Sequence, residues 1–158
     1  SKVAELEEAM NTIVTQILVL NPEAQIIFTI SPVRHLKDGL VENQLSKSLL
    51  FVAVHNILVR HKLTSYFPSY EILMDELRDY RFYSEDMLHP SKVGIDYIWE
   101  NFVTYWFSSE AILTLKQIDN IQKGLSHRPF YQNSVAHRKF QEDLKHKIEN
   151  VKAKYPQL

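Results

Sequence analysis

The apolar positions change their spacing along the chain, and each change marks an element. Leu6, Met10, Ile13, Ile17 and Leu20 recur at steps of four and three, which predicts a helix with one buried stripe. Asn21-Pro22 ends it. Gln25 to Ile30 is a nearly continuous β-branched and aromatic run, the pattern of a strand buried on both faces in a parallel sheet. Ser31-Pro32 closes that run, and residues 31 to 44 read as a polar loop holding Arg34, His35, Asp38 and Gly39. Leu45 to His61 is apolar almost all round, which predicts a core helix with Ser46 at its N-cap. Leu63 to Phe67 is a second short strand closed by Pro68, and Ser69 to Arg81 reads as a short helix and a loop. Val93 to Phe107 is a third helix, with Gly94, Ile98, Phe102 and Tyr105 on one face. A glycine inside a helix lowers its stability, so Gly94 predicts close approach of another backbone.

Beyond Ser108 the strand signals stop. Ile112, Leu115, Ile118 and Ile121 predict one further helix, and Phe140, Leu144, Ile148 and Val151 another, linked through His127-Arg128-Pro129-Phe130. Strand–helix–strand–helix followed by helices alone implies an α/β unit over residues 1–107 and a helical extension over 108–158. Two strands are few beside the roughly five of an ordinary sheet. Part of the sheet is therefore expected outside these 158 residues, and an uncovered edge would favour self-association.

Composition removes several function classes. With 18 Lys and Arg against 19 Asp and Glu, the charge balance offers no nucleic-acid footprint. The chain has no cysteine, hence no disulfide, thiolate metal site or cysteine nucleophile, and its seven histidines are scattered without metal-ligand spacing. No cofactor and no metal is expected. No apolar run is long enough to span a bilayer, so no membrane partner is expected. The acidic Ser1 to Glu8 opening reads as a helix from within a protein and not as a signal peptide, which leaves the compartment open with a lean to the cytoplasm.

The chemistry concentrates in Tyr83-Ser84-Glu85-Asp86-Met87-Leu88-His89-Pro90-Ser91. A carboxylate three residues before an imidazole can turn back onto one ring nitrogen, fix the tautomer and leave the other nitrogen to take a proton from a hydroxyl. Pro90 suits the first turn of a helix and would place His89 at a helix N-terminus. The plain alternative is an aspartate cap beside a surface histidine, and an isolated Asp-x-x-His favours it. Arg34 and His35 follow a strand end, where open parallel sheets bind ligands, and are candidate substrate contacts against a solvated-loop alternative. His55 and His61 read as structural. The aromatics from Tyr80 to Tyr83 read as core packing, with a sugar platform as the rival. Ser31 reads as a turn residue, because Pro32 removes an N–H that an oxyanion hole would use.

Asp86-Met87-Leu88-His89-Pro90-Ser91, with Gly94 beyond, resembles the last sequence block of the SGNH (GDSL-like) hydrolases. Thr29-Ile30-Ser31-Pro32-Val33-Arg34-His35, Tyr66-Phe67-Pro68-Ser69-Tyr70-Glu71 and Asp79-Tyr80-Arg81-Phe82 resemble, more narrowly, the GSCFA-domain family. The resemblance implies part of an SGNH/flavodoxin-like three-layer sandwich and hydrolysis of an ester, with a small-molecule or carbohydrate ester as substrate. It assigns His89 as general base and then general acid, and Asp86 as its orienting carboxylate. The family's Gly-Ser-Cys-Phe-Ala segment, which carries the nucleophilic serine, does not occur in this sequence. These residues therefore read as the C-terminal portion of a serine ester hydrolase, inert alone because the base has no serine to activate. The rival reading is a non-catalytic binding module that keeps the fold.

Overall fold

The computed structural model describes residues 2–37, 39–127 and 135–156. It divides into two compact units, residues 1–102 and 103–158. The first begins with helix α1 (Lys2–Leu20), strand β1 (Ile26–Thr29), helix α2 (Leu40–Arg60) and strand β2 (Thr64–Phe67). Helix α3 (Ser69–Glu71) runs into a π-helical turn (Ile72–Leu77), a 3₁₀ turn follows (Tyr80–Phe82), and helix α4 (Lys92–Trp106) crosses into the second unit.

The two strands pair in parallel, with Ile26 opposite Thr64 and Thr29 opposite Phe67. Parallel neighbours need a crossover connection, and α2 supplies it. Parallel strands joined by a helix are what the sequence pattern implies. The sheet among the described residues has these two strands alone, so the unit is α/β in kind but predominantly helical. Consequently β1 is not buried on both faces. Ile26, Ile27 and Phe28 are half-buried and Thr29 is exposed, because β1 has one strand partner and thin cover.

The helical stripes shift in detail. In α1 the fully buried residue is Val14, while Ile13 is half-exposed and Leu20 is 87% exposed. Steps of four from Leu6 and Met10 lead equally well to Val14, and contact with α2 selects that neighbour of Ile13. Helix α2 starts at Leu40, five residues earlier than the sequence pattern predicts, so 40–44 is helix rather than loop and Ser46 is internal. Its first residues, Leu40 and Val41, are exposed and leave no burial period to read. The true start is marked by Gly39, whose φ of 86° lies where a side chain would be strained. Only one face of α2 is core, through Ala53, Val54 and Ile57, while Val52 and Val59 are exposed.

Polar contacts tie α1 to α2. Glu7 accepts from Asn56 at 2.5 Å and from Arg60 at 2.7 Å, and Asn11 Oδ1 meets His61 Nε2 at 2.8 Å. His61 is thereby a structural bridge, whereas His55 is exposed. Ile30, Phe67, Ile72, Leu73 and Tyr83 form the rest of the core of this unit. Phe67 meets Phe102 of α4 edge-on at 5.0 Å. Gly94 has the reason its position implied: a Cβ there would lie 2.9 Å from the Phe82 carbonyl oxygen. Tyr105, expected on the same stripe, is 77% exposed; spacing shows which residues share a face, not how far the neighbouring layer extends.

In the second unit, α5 (Ser109–Ser126) and α6 (Val135–Lys154) pack as an antiparallel pair. Glu110 meets Lys154 at 2.7 Å and Thr114 meets Tyr155 at 3.0 Å, which joins the start of one helix to the end of the other. Ser108 caps α5 by accepting from the Ala111 N–H. Among the residues of the pair whose burial is described, Ile121 and Val151 are buried. Of the link expected at His127 to Phe130, residues 128–130 lie outside the described residues.

Candidate functional site

The turn from Ser84 to Ser91 is closed by its own backbone. Ser84 N–H donates to the His89 carbonyl at 2.8 Å, Ser91 N–H to the Phe82 carbonyl at 2.7 Å, and Tyr83 bridges Pro90 antiparallel. Asp86 sits inside and organises it. Its Oδ1 accepts from Leu88 N–H at 2.8 Å and His89 N–H at 3.0 Å, an Asx turn that mimics a helix cap. Its Oδ2 lies 2.6 Å from His89 Nδ1.

This arrangement does not place His89 on a helix. Helix α4 starts at Lys92, so Pro90 lies ahead of it. Ser91 takes the cap instead: its Oγ accepts from Gly94 N–H at 3.4 Å and its carbonyl from Ile95 N–H at 2.9 Å. Pro90 cannot donate a backbone hydrogen bond. A cap hydroxyl next to it is the better N-terminus.

The electrostatics follow from the hydrogen bonds. The Asp86 carboxyl is lowered to about 2, first by the His89 backbone N–H, then by the His89 ring and the Leu88 N–H. At neutral pH it is an anion that accepts a proton-bearing Nδ1, which leaves Nε2 as the basic lone pair. Among the described residues Nε2 has no hydrogen-bond partner, and the side chains of His89 and Asp86 are 60% and 46% exposed. The pair can therefore take a proton from an approaching hydroxyl and return it to a leaving group.

Met87, between the two, has φ at 58°. For a residue with a side chain this left-handed conformation costs about 1 kcal/mol, and it persists where neighbours over-determine it. Arg34 is the neighbour. Its backbone N–H donates to the Leu88 carbonyl and its Nη1 to the Met87 carbonyl, both at 3.2 Å. Its guanidinium stacks on the Tyr83 ring at 4.2 Å and reaches Tyr80 at 5.5 Å. Tyr83 is thus core and a platform for Arg34, while Tyr80 is exposed. His35 is exposed, and its backbone N–H donates to Asn43 Oδ1. The structure joins Arg34 to the Asp86–His89 turn and shows no such link for His35.

The serines nearby hold backbone. Ser31 Oγ accepts from Val33 N–H at 3.2 Å, as a strand-end turn residue does. Ser84 donates to the Pro90 carbonyl and Ser91 to the Arg81 carbonyl. Ser69 donates to the Ile30 carbonyl at 2.9 Å, so the 2.6 Å contact with Thr29 has Thr29 donating. Among the described residues no cluster of metal-ligating side chains occurs.

Residues 1–102 match the model of the GSCFA family, the same span as the first structural unit. The chain belongs to the GSCFA family. Residues 118–158 match a second model, described as the C-terminal domain of GSCFA domain proteins, and fall on α5 and α6. No curated protein and no solved structure matches this GSCFA chain. Among the described residues, no helix is long and apolar enough to cross a membrane.

Two features of the site escaped sequence reading. The strain at Met87 has no sequence signal. Lys47 did have one: it stands on the stripe that Val54 and Ile57 continue, a cation at a core position of α2, and it is buried.

Proposed function

We propose that this GSCFA chain carries the acid–base half of an SGNH-type serine ester hydrolase, with His89 as the proton carrier and Asp86 as its orienting carboxylate. The carrying observation is the 2.6 Å contact of Asp86 Oδ2 with His89 Nδ1, with Nε2 unengaged. In the reaction Nε2 takes the proton of a serine hydroxyl as its oxygen bonds to the ester carbonyl carbon. It then gives that proton to the departing alkoxide, and repeats both steps with water to release the acid. Asp86 remains ionised throughout.

The nucleophile is assigned to the serine of the Gly-Ser-Cys-Phe-Ala segment implied by the family resemblance, since the serines around the turn are committed to backbone contacts. The same resemblance supports acyl esters, those on carbohydrates included. The second reading, a binding module without catalysis, draws on the openness of the pair: no serine of the described chain bonds to Nε2, and the imidazole is more than half exposed.

The test is hydrolysis of chromogenic acyl esters by the protein with its Gly-Ser-Cys-Phe-Ala segment present, comparing wild type with His89→Ala. A loss of about 10⁴-fold or more in kcat is expected. Equal rates remove His89 from the mechanism, and no activity from wild type on a broad panel favours the binding module.

A further inference from the structure

A second group of polar side chains lies behind the turn. A cavity of about 280 Å³ is lined by Arg34, Asn43, Gln44, Lys47, Tyr70 and Tyr80, with apolar neighbours and no acidic residue. Lys47 is 4% exposed. Its Nζ donates to the Ser31 carbonyl at 2.6 Å, and no carboxylate among the described residues pairs with it. Among the described residues Arg34 has no carboxylate partner either; its guanidinium meets the Met87 carbonyl and two tyrosine rings. A buried ammonium without a counter-ion is an unfavourable arrangement, and natural proteins almost always pair such a charge. Burial accordingly pulls the Lys47 ammonium below the ordinary lysine value.

The amides on the rim have the same polarity. The oxygen of Asn43 accepts from the His35 N–H at 2.9 Å, and the oxygen of Gln44 accepts from the Tyr70 hydroxyl at 3.1 Å. Each side-chain oxygen is thus already turned to a protein donor, and the NH₂ groups remain as donors. The residues lining this one cavity thus carry an ammonium, a guanidinium and two NH₂ groups, with no carboxylate and only the Tyr70 and Tyr80 hydroxyls beside them. The complementary ligand is one that offers acceptors and negative charge, since two cations and no carboxylate line the cavity, which disfavours a metal cation.

We propose that this cavity is an anion-binding site that takes a carboxylate or phosphate group of the ligand, with Lys47 as its buried counter-charge and Arg34 as the link to the Asp86–His89 turn. Where the hydrolase reading holds, the substrate is then an ester that also bears an anionic group. The occupancy of the cavity does not depend on that reading.

The experiment titrates the whole chain, with isotopically labelled lysine, at constant pH and ionic strength with inorganic phosphate, with acetate, and with chloride as control. The Lys47 side-chain resonance is expected to move saturably with phosphate or acetate and not with chloride. Phosphate alone assigns a phosphoryl ligand, and acetate alone a carboxylate. Lys47→Met, which keeps the length of the stem, is expected to weaken binding by about thirtyfold or more. No saturable movement with either anion in the wild type overturns the proposal, and so does equal affinity in Lys47→Met. Should that variant fail to fold, the wild-type titration decides alone. An ester panel without turnover leaves this result untouched, and an absent anion shift leaves the His89→Ala comparison untouched.

Discussion

The Asp86–His89 turn and the Lys47 cavity are both polar sites, yet they are built in opposite ways. The turn is exposed and local, its carboxylate and imidazole three residues apart and its hydrogen bonds within a few residues of each other. The cavity joins positions far apart in the chain, Lys47 to Ser31 and Arg34 to Met87, and buries a charge with no carboxylate partner among the described residues. A local polar site needs little from the fold and can sit in water. A long-range one needs packing to assemble it and stores an unfavourable charge until a ligand compensates it. Arg34 belongs to both, since it braces the turn from the cavity side.

The largest expected effect separates chemistry from architecture in the turn. Asp86→Asn keeps an oxygen to accept from Leu88 and His89 N–H but removes the anion facing Nδ1, so the imidazole can adopt the wrong tautomer. In the protein with its nucleophile, kcat is expected to fall by about 10⁴-fold, while the melting temperature moves by only a few degrees. A melting loss as large as that of an unfolded variant would mean that Asp86 is chiefly architectural.

Gly94→Ala tests the packing behind the turn. The added methyl meets the Phe82 carbonyl oxygen at 2.9 Å, and a backbone atom cannot rotate away. Denaturant unfolding is expected to show a loss of about 1–3 kcal/mol. A loss below half a kilocalorie per mole would show that Phe82 and α4 separate easily.

Arg34→Ala probes the shared residue. It removes a charged donor to the Met87 carbonyl and the stacking on Tyr83, with an expected loss of about 1–2 kcal/mol. Its sharper signature lies in the turn: with Met87 released, the Asp86 carboxyl is expected to titrate closer to the ordinary aspartate range. An Asp86 titration unchanged in Arg34→Ala would show that the turn holds its geometry without the brace.

The smallest effect is the pH dependence of the turn itself. The folded Asp86 carboxyl titrates at about 2, below its ordinary value of 3.8, so the unfolded chain takes up the proton first. Its contribution to stability is full above about pH 4 and is lost as pH falls through 2. Wild type is expected to show this acid-side loss and Asp86→Asn to lack it, as read by unfolding at pH 2 and pH 5. Equal slopes in the two proteins would mean that the hydrogen bonds to Asp86 do not distinguish the folded state.

What could be read in advance follows the same division between local and long-range. The parallel pairing of β1 and β2 was legible because a β-branched run, a helix and a second run admit few connections. The Asp86–His89 contact was legible because three residues of chain leave little freedom. The start of α2 was not, since its first residues are exposed and only Gly39 marks the boundary. Pro90 pointed one step astray, because the propensity for a first helical turn was outweighed by the hydroxyl of Ser91 as a cap.

Residue order by itself thus determined the turn, the strand–helix–strand unit and the close approach at Gly94, each governed by steric or hydrogen-bonding rules acting over a few residues. Tertiary structure alone decided that Val14 and not Ile13 faces the core, that Arg34 braces a strained Met87, and that the buried Lys47 meets the Ser31 carbonyl in a cavity shared with Arg34. Those outcomes depend on which surfaces meet after the chain has folded back, over separations of up to 53 residues in the case of Arg34 and Met87. Which partners meet across such separations is a property of that folding back, and local spacing along the chain does not encode it.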